Sequence, residues 1–374
     1  MTINNHPLTA GRNPALDGIR GLAAFFVLIS HYMPQNKFWW TMQWGKIGVV
    51  VFFILSGYLI VGILLSGRTK IEHGHAMKSI WTEFYQKRAL RIFPLYFGVL
   101  LFFCLIGNSN TIQTFWWHAT FTSNFGHALF KLDFDNFSHF WSICIEEQFY
   151  LVIPLLVLLF NKRKSFNILF GLFIACTIFK ISYALTDLDQ SVLARIPISN
   201  VEGISFGALI AYSFHSKEAE SILKFIIRWL APCACIIFMA MNIYRFIVGV
   251  PAYYTFFNIA IADLVIVGTF GPLVAAVAYR SLNTTAWNFL ASKPLTYLGT
   301  ISYGVYVYHY AILLFLPSLL DSLGIQDMTM TAFFAKCAIA ISLAAISWHC
   351  FEKQILKLKS RISADRESIL STPR

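Results

Sequence analysis

Charge is scarce in this sequence. Of 374 residues only 13% are Asp, Glu, Lys or Arg, while 57% are hydrophobic and 17% aromatic. The mean hydropathy is +0.63. No ordinary soluble core has room for so many apolar runs of about 20 residues, so the composition excludes a soluble globular class and points to a polytopic helical membrane protein. No signal peptide is expected. The opening MTINNHPLTAGRNP is polar, and Leu16 begins an apolar segment that is expected to be retained. There is no CxxC pair. Cys104, Cys144, Cys176, Cys233, Cys235, Cys337 and Cys350 all fall in apolar runs, where they read as small buried hydrophobes and not as a disulfide framework. No internal repeat or low-complexity linker is visible, and no soluble domain is expected at either end.

What is present is a series of apolar segments. Ten candidate spans lie near 15–33, 47–66, 92–107, 140–160, 167–185, 198–215, 229–248, 256–279, 295–316 and 332–351. The expected fold class is therefore an all-α polytopic membrane helix bundle of about ten transmembrane helices. The expected organisation is a segment 1–14, a transmembrane domain 15–351 and a basic tail 352–374. The third span is short. The sixth is weakly apolar and carries Glu202 with Gly203 and Gly207, a spacing that lets helices approach closely.

Basic residues orient the spans. One set of loops carries 21 Lys and Arg: Arg12, the stretch from Arg68 to Arg91, Lys162 to Lys164, Lys217 to Arg228, Arg280, Lys293 and the tail. The alternate loops carry 4, at Lys37, Lys46, Lys131 and Arg195. That bias puts both termini in the cytoplasm. It accounts for most of the net charge of +11, and scattered loop charge without a basic stripe argues against nucleic-acid binding. Segment 108–139 then lies outside. Its His118, His127 and His139 are irregularly spaced and read as surface or interfacial groups, with no metal expected.

Four polar clusters interrupt the apolar pattern. In LDGIRGLAAFFVLISH, Arg20 and His31 are eleven residues apart. That returns to within about 20° of one helix face, with about 16 Å of rise between them. Ionisable groups at such depth are expensive, so the default reading is functional. In YQKRALRIFPLY, Arg88 and Arg91 are neighbours on one face at the expected cytoplasmic mouth of the third span. Paired guanidinium forks suit phosphate oxygens, and a headgroup anchor is the alternative. In WSICIEEQFY, Ser142, Glu146 and Tyr150 form one polar stripe. Glu146 there is a candidate to orient a histidine on another helix, or else half of a structural pair. In LGTISYGVYVYH, Ser302, Tyr306 and His309 share a face, with His309 either a buried hydrogen-bonding residue or part of a cavity.

Together these clusters resemble the membrane-bound acyltransferase family 3, the bacterial O-acyltransferases of surface and exported glycans. LDGIRGLAAFFVLISH, GVVVFFILSGY, KRALRIFPLY, FWSICIEEQFYLVIP and LGTISYGVYVYH occur in the family's order over nearly the whole chain. Some members carry an SGNH-type esterase domain after the last helix; the expectation here is the stand-alone type.

The resemblance implies an enzyme that transfers acyl groups other than amino-acyl groups, commonly acetyl from acetyl-CoA, to a sugar hydroxyl. Arg20, Arg88 and Arg91 are then expected to bind a cytoplasmic acyl-CoA, with His31 as the base and Glu146 orienting it. Ser142, Tyr150, Tyr306 and His309 are expected to line the cavity. The expected location is the bacterial cytoplasmic (inner) membrane. The expected partners are the lipid bilayer, the acyl-CoA donor, a carbohydrate acceptor and polysaccharide-assembly proteins. A transporter or flippase of a glycan precursor or small metabolite is the rival reading. No repeated half and no matched pair of broken helices favours it.

Overall fold

The computed structural model describes residues 13–34, 42–186, 190–193, 195–248 and 261–357. The start of the 256–279 span, the N-terminal segment up to Arg12 and the tail from residue 358 lie outside the described residues. The described chain is helical throughout, with no strand among the described residues. An all-α bundle is what these sequences must form in lipid, because a helix satisfies its own backbone hydrogen bonds.

The first helix, α1, is Pro14–Tyr32. Asn13 caps it by accepting hydrogen bonds from the Ala15 and Leu16 amides at 3.1 and 3.4 Å, and Pro14 occupies the first turn, where no N–H is needed. Helix α2 is Trp44–Glu72 and α3 is Met77–Leu105. Short helices α4 (Ser109–Ala119) and α5 (Ser123–Phe130) and a 3-10 turn at Asp135–Phe140 lead into α6, Trp141–Leu159. Next come α7 (Lys162–Ala184), α8 (Val201–Ser213), α9 (Lys217–Val248) and α10 (Ala262–Ala278). The last third holds α11 (Thr284–Leu290), α12 (Lys293–Thr300), α13 (Ser302–Leu314), α14 (Leu316–Ser322) and α15 (Met330–Lys357).

Six helices are long and apolar enough to cross a membrane by themselves: α2, α3, α7, α9, α15, and α6 extended back to Phe137. A seventh crossing arises if α13 and α14, bent by 62° at Phe315, count as one span. The remaining expected spans correspond to the 19-residue α1, the 13-residue α8 and the 17-residue α10. Two expectations need correction. The third span is long, and the loop expected over 67–91 shrinks to residues 73–76, so Arg88 and Arg91 sit on the flank of a continuous helix and not at its mouth. The span expected at 295–316 is broken into α12, α13 and α14. Helix α15 runs on to Lys357, past the expected start of the tail at 352.

Packing between α2 and α8 explains the glycines there. A Cβ on Gly57 would lie 2.0 Å from the Ile204 carbonyl oxygen, and one on Gly207 would lie 2.0 Å from that of Ile54. The two backbones touch, and a dispersion-driven contact in lipid depends on that closeness. Gly57→Val is expected to force the helices apart and destabilise the protein by about 3 kcal/mol, the upper end for overpacking. Thermal unfolding in detergent, followed by size-exclusion chromatography, measures it; an unchanged melting temperature would show the contact to be dispensable. The same device seats α1. A Cβ on Gly18 would lie 1.8 Å from the Leu290 carbonyl oxygen, and one on Gly299 would lie 1.8 Å from that of Asp17.

A charged network crosses the middle of the bundle. Lys180 on α7 donates to Glu202 on α8 at 2.5 Å and to Asp263 on α10 at 2.6 Å. Lys46 on α2 pairs with Asp263 at 3.0 Å, and Thr177 donates to Glu202 at 2.9 Å. Two cations face two carboxylates, so burial is tolerated.

Candidate active site

Helix α1 carries a functional group at each of two depths. Near its start, Arg20 pairs with Asp17 one turn back at 3.6 Å. It also lies within electrostatic reach of Arg88 and Arg91 on α3. Glu146 on α6 lies within reach of both Arg20 and Arg88. The carboxylate accepts a hydrogen bond from Ser56 of α2 at 2.6 Å, and the Tyr150 hydroxyl is 3.0 Å from the same Ser56 oxygen. Since Ser56 spends its one proton on Glu146, Tyr150 is the donor to Ser56. The Arg88 guanidinium lies over the Tyr150 ring, 5.9 Å from its centre. The spacing of Ser142, Glu146 and Tyr150 on α6 thus delivers one stripe to the interior, facing arginines from two other helices.

Two more carboxylates complete this cluster: Glu147, adjacent to Glu146 in the sequence, and Glu352, which did not stand out there. Glu147 lies within reach of Arg88, and its Oε1 has no hydrogen-bond partner among the described residues. Glu352, in a π-helical turn of α15, accepts from Ser347 at 3.0 Å and lies within reach of Arg91. A π turn is a frequent device for presenting a side chain at a functional site.

At the other end of α1, His31 meets a second cluster. Its ring centre is 4.9 Å from that of His309 on α13, which in turn is 4.7 Å from that of His139. Tyr310 presents its ring edge-on to His31 at 5.3 Å. His309 is 0% exposed and His139 is 6% exposed, whereas His31 is exposed. So His31 is the member of the trio open to an incoming molecule.

Hydrogen bonds set its chemistry. His31 Nδ1 is 2.9 Å from the Val27 carbonyl oxygen, which can only accept. The neutral ring therefore carries its proton on Nδ1 and a lone pair on Nε2, the state required of a base. His309 follows the same logic, with Nδ1 2.7 Å from the Tyr306 carbonyl oxygen. The Tyr32 hydroxyl donates to the His309 carbonyl. Tyr306 donates to the His139 carbonyl at 2.8 Å and, its proton spent, accepts from Ser142 at 2.6 Å.

Ser142 and Glu146 are one turn apart on α6, so they join the two clusters. The polar groups run from Arg88 through Tyr150, Ser56 and Glu146 to Ser142, Tyr306 and the histidines. Of the residues named from sequence, Arg20, Arg88, Arg91, Glu146 and Tyr150 gather at the arginine cluster. His31, His309, Tyr306 and Ser142 gather at the other. The expected Glu146–His31 contact is absent among the described residues. Glu146 is held by Ser56, and His31 is oriented by its own helix at Val27.

The reading of three surface histidines at 118, 127 and 139 also needs correction. His139 belongs to the histidine cluster, because the 3-10 turn before α6 folds it against α13. A signal existed, since it precedes Ser142 by three residues. His118 is fully buried on α4, with ring contacts to Phe134, Phe137 and Phe140 and no hydrogen-bond partner on either nitrogen among the described residues. Burial pushes it down to about 3, so it stays neutral. No group of three His, Cys, Asp or Glu among the described residues is arranged to hold a metal ion.

This chain is similar to several bacterial proteins. It is 28% identical to O-acetyltransferase OatA of Staphylococcus aureus strain NCTC 8325, over 92% of this chain and 57% of the relative. It is 27% identical to putative peptidoglycan O-acetyltransferase YrhL of Bacillus subtilis, over 91% of this chain and 54% of the relative. It is 23% identical to peptidoglycan O-acetyltransferase OatA of Listeria monocytogenes, over 92% and 56%. The chain thus spans little more than half the length of these relatives. No solved structure matches it. One family profile, described as an acyltransferase domain, matches residues 13–349, and the chain belongs to that family.

Proposed function

We propose that the protein is an integral membrane O-acetyltransferase of a bacterial cytoplasmic membrane. It moves an acetyl group from acetyl-CoA on the cytoplasmic side to a hydroxyl of a cell-surface carbohydrate on the other. The relatives' names, which specify O-acetylation and in two cases peptidoglycan, support the group and the acceptor class. The observation that carries the two-sided reading is α1 itself. One continuous helix carries Arg20 beside arginines and His31 beside histidines about 16 Å further along its axis, about half of a 30 Å hydrocarbon core. The loop-charge bias supports the arginine end lying inside.

The chemistry follows from the two clusters. Arg88 and Arg91 hold donor phosphates, and Arg20 borders the route of the thioester arm. An alcohol is a poor nucleophile until a base takes its proton. His31 Nε2 takes it; the alkoxide oxygen attacks the thioester carbonyl; the C–S bond breaks; the proton passes to the departing thiolate. Glu146 balances the arginines and keeps the passage polar. Ser142 and Tyr306 fix the histidine-bearing turns.

Donor kinetics test this. The double variant Arg88→Ala, Arg91→Ala is expected to raise the acetyl-CoA KM at least tenfold while leaving the acceptor KM within a factor of two. Arg→Lys at both positions should recover only part, because a bidentate fork is lost. An unchanged donor KM would return these arginines to an anchoring role. Failure of the wild-type protein to transfer label from acetyl-CoA would favour a carrier.

A further inference from the structure

Three tyrosines stand around the histidine cluster, and they differ in what their hydroxyls do. Tyr32 gives its proton to the His309 carbonyl, and Tyr306 gives its own to the His139 carbonyl while accepting from Ser142. Both hydroxyls are spent on holding α1 and the turn before α6 to α13. Tyr310 is half-buried, and its hydroxyl makes no hydrogen bond among the described residues. Nor is that hydroxyl one of the buried unpartnered groups, so solvent reaches it.

Helix period and packing place this ring beside the base. Tyr310 follows Tyr306 by four residues on α13, so the two share a face one turn apart. The Tyr310 ring centre is 5.3 Å from that of His31, with the planes at 90°, and 5.4 Å from that of His139. Two other flanks of His31 are closed. His309 takes one, 4.9 Å away and fully buried. The start of α2 takes another: a Cβ on Gly45 would fall 2.7 Å from Ser30 Oγ and 4.0 Å from His31 Cε1, so bare backbone abuts the base there. Neither offers a side-chain group to an incoming molecule. Tyr310 does.

We infer that Tyr310 is an acceptor-binding residue: its hydroxyl pairs with a sugar hydroxyl adjacent to the one presented to His31. The acceptor is then a polyhydroxylated sugar ring recognised by two neighbouring hydroxyls, and not a simple alcohol. The inference rests on the acyl-transfer reading for the role of His31, and it adds the feature by which the acceptor is chosen. The chemistry suits such a pair. A phenol both donates and accepts, as a sugar hydroxyl does, so it meets its partner in either sense. His31 Nε2 carries a lone pair and accepts from the reacting hydroxyl. The tyrosine ring adds apolar area for the C–H face of the sugar, at little cost in side-chain freedom.

Methyl glucoside is the probe. Its binding to the full chain, solubilised in a detergent without a sugar headgroup, is measured by saturation-transfer NMR. The wild-type protein should bind it saturably. Tyr310→Phe keeps the ring against His31 and His139 and removes only the hydroxyl. It should weaken binding about three- to tenfold, as for one hydrogen bond between neutral groups. Tyr310→Leu, which removes the ring as well, should weaken it further. The melting temperature and acetyl-CoA affinity of Tyr310→Phe should match the wild type. Absence of saturable binding by the wild-type protein would overturn the inference, as would equal affinity in Tyr310→Phe. An equal loss of acetyl-CoA affinity would also overturn it, by making Tyr310 a general packing residue. Because the sugar titration needs no donor, a Tyr310-dependent affinity in a protein that fails to turn over acetyl-CoA would count against the acyl-transfer reading and leave the sugar contact standing.

Discussion

Replacing His31 with alanine is expected to abolish acyl transfer while leaving a normally inserted, monodisperse protein. The base is the group without which the acceptor oxygen keeps its proton, and removing a general base costs on the order of 10²–10⁴ in rate. That corresponds to about 3–5 kcal/mol of transition-state stabilisation. Stability should change little, because His31 is exposed and its ring makes contacts mainly with His309 and Tyr310. His31→Gln is the sharper variant. Its amide can still donate to the Val27 carbonyl, but it offers no basic nitrogen, so it too should be inactive. The measurement is transfer of labelled acetyl from acetyl-CoA to a glycan acceptor, with donor KM as control. A well-folded His31→Gln protein retaining a tenth of wild-type turnover would move the role of base elsewhere, with His309 the next candidate by proximity.

The largest effect on stability is expected at Lys180. Lys180→Met leaves Glu202 and Asp263 with Lys46 as their one cation among the described residues, an uncompensated charge inside the bundle. Breaking a buried pair in this way costs about 3–5 kcal/mol. The double variant Lys180→Met, Glu202→Gln returns the group to one cation and one carboxylate, so it should recover most of the loss. Glu202→Gln by itself leaves an excess cation and should also destabilise. Melting temperatures of the three variants in one detergent check the argument. If the double variant is no more stable than Lys180→Met, packing of the lysine stem, and not charge balance, is what the network contributes.

Parts of this arrangement could be read in the sequence because they depend on local period. Arg20 and His31 share a face because eleven residues come close to three turns of a helix. Ser142, Glu146 and Tyr150 project together for the same reason. The small residues Gly203 and Gly207 announced a close contact, and Gly207 makes one with α2. Other parts depended on tertiary partners. Lys78 to Arg91 looked like a cytoplasmic loop because charge lowers the hydropathy there, yet α3 begins at Met77 and the bundle supplies carboxylates to receive the arginines. The 3-10 turn at Asp135–Phe140 has no periodic signature, so the inward swing of His139 was invisible. Lys180 lies inside an apolar run, where its meaning depends on two carboxylates 22 and 83 residues away. The break between α13 and α14 was hidden by a continuous run of apolar residues across Phe315.

The glycine contacts of α1 bear on how the protein is made. Helix α1 precedes α2 in the chain and packs on it, but its other receiving surfaces come much later. Gly18 rests against Leu290, Asp17 against Gly299, and Asn13 donates to the Val277 carbonyl at 3.3 Å. Until those later segments are synthesised, the helix bearing both Arg20 and His31 has α2 beside it, with a Cβ on Gly48 falling 2.6 Å from the Ala23 carbonyl oxygen, but lacks the rest of its seat. It must wait in the bilayer or beside the insertion machinery, with a guanidinium still lacking the surroundings of the finished bundle. Assembly of this element is therefore split in time: the helix that carries Arg20 and His31 meets α2 early and is locked by the last third of the chain late. A nascent chain released prematurely lacks that lock, and its exposed arginine marks it as a substrate for membrane quality control.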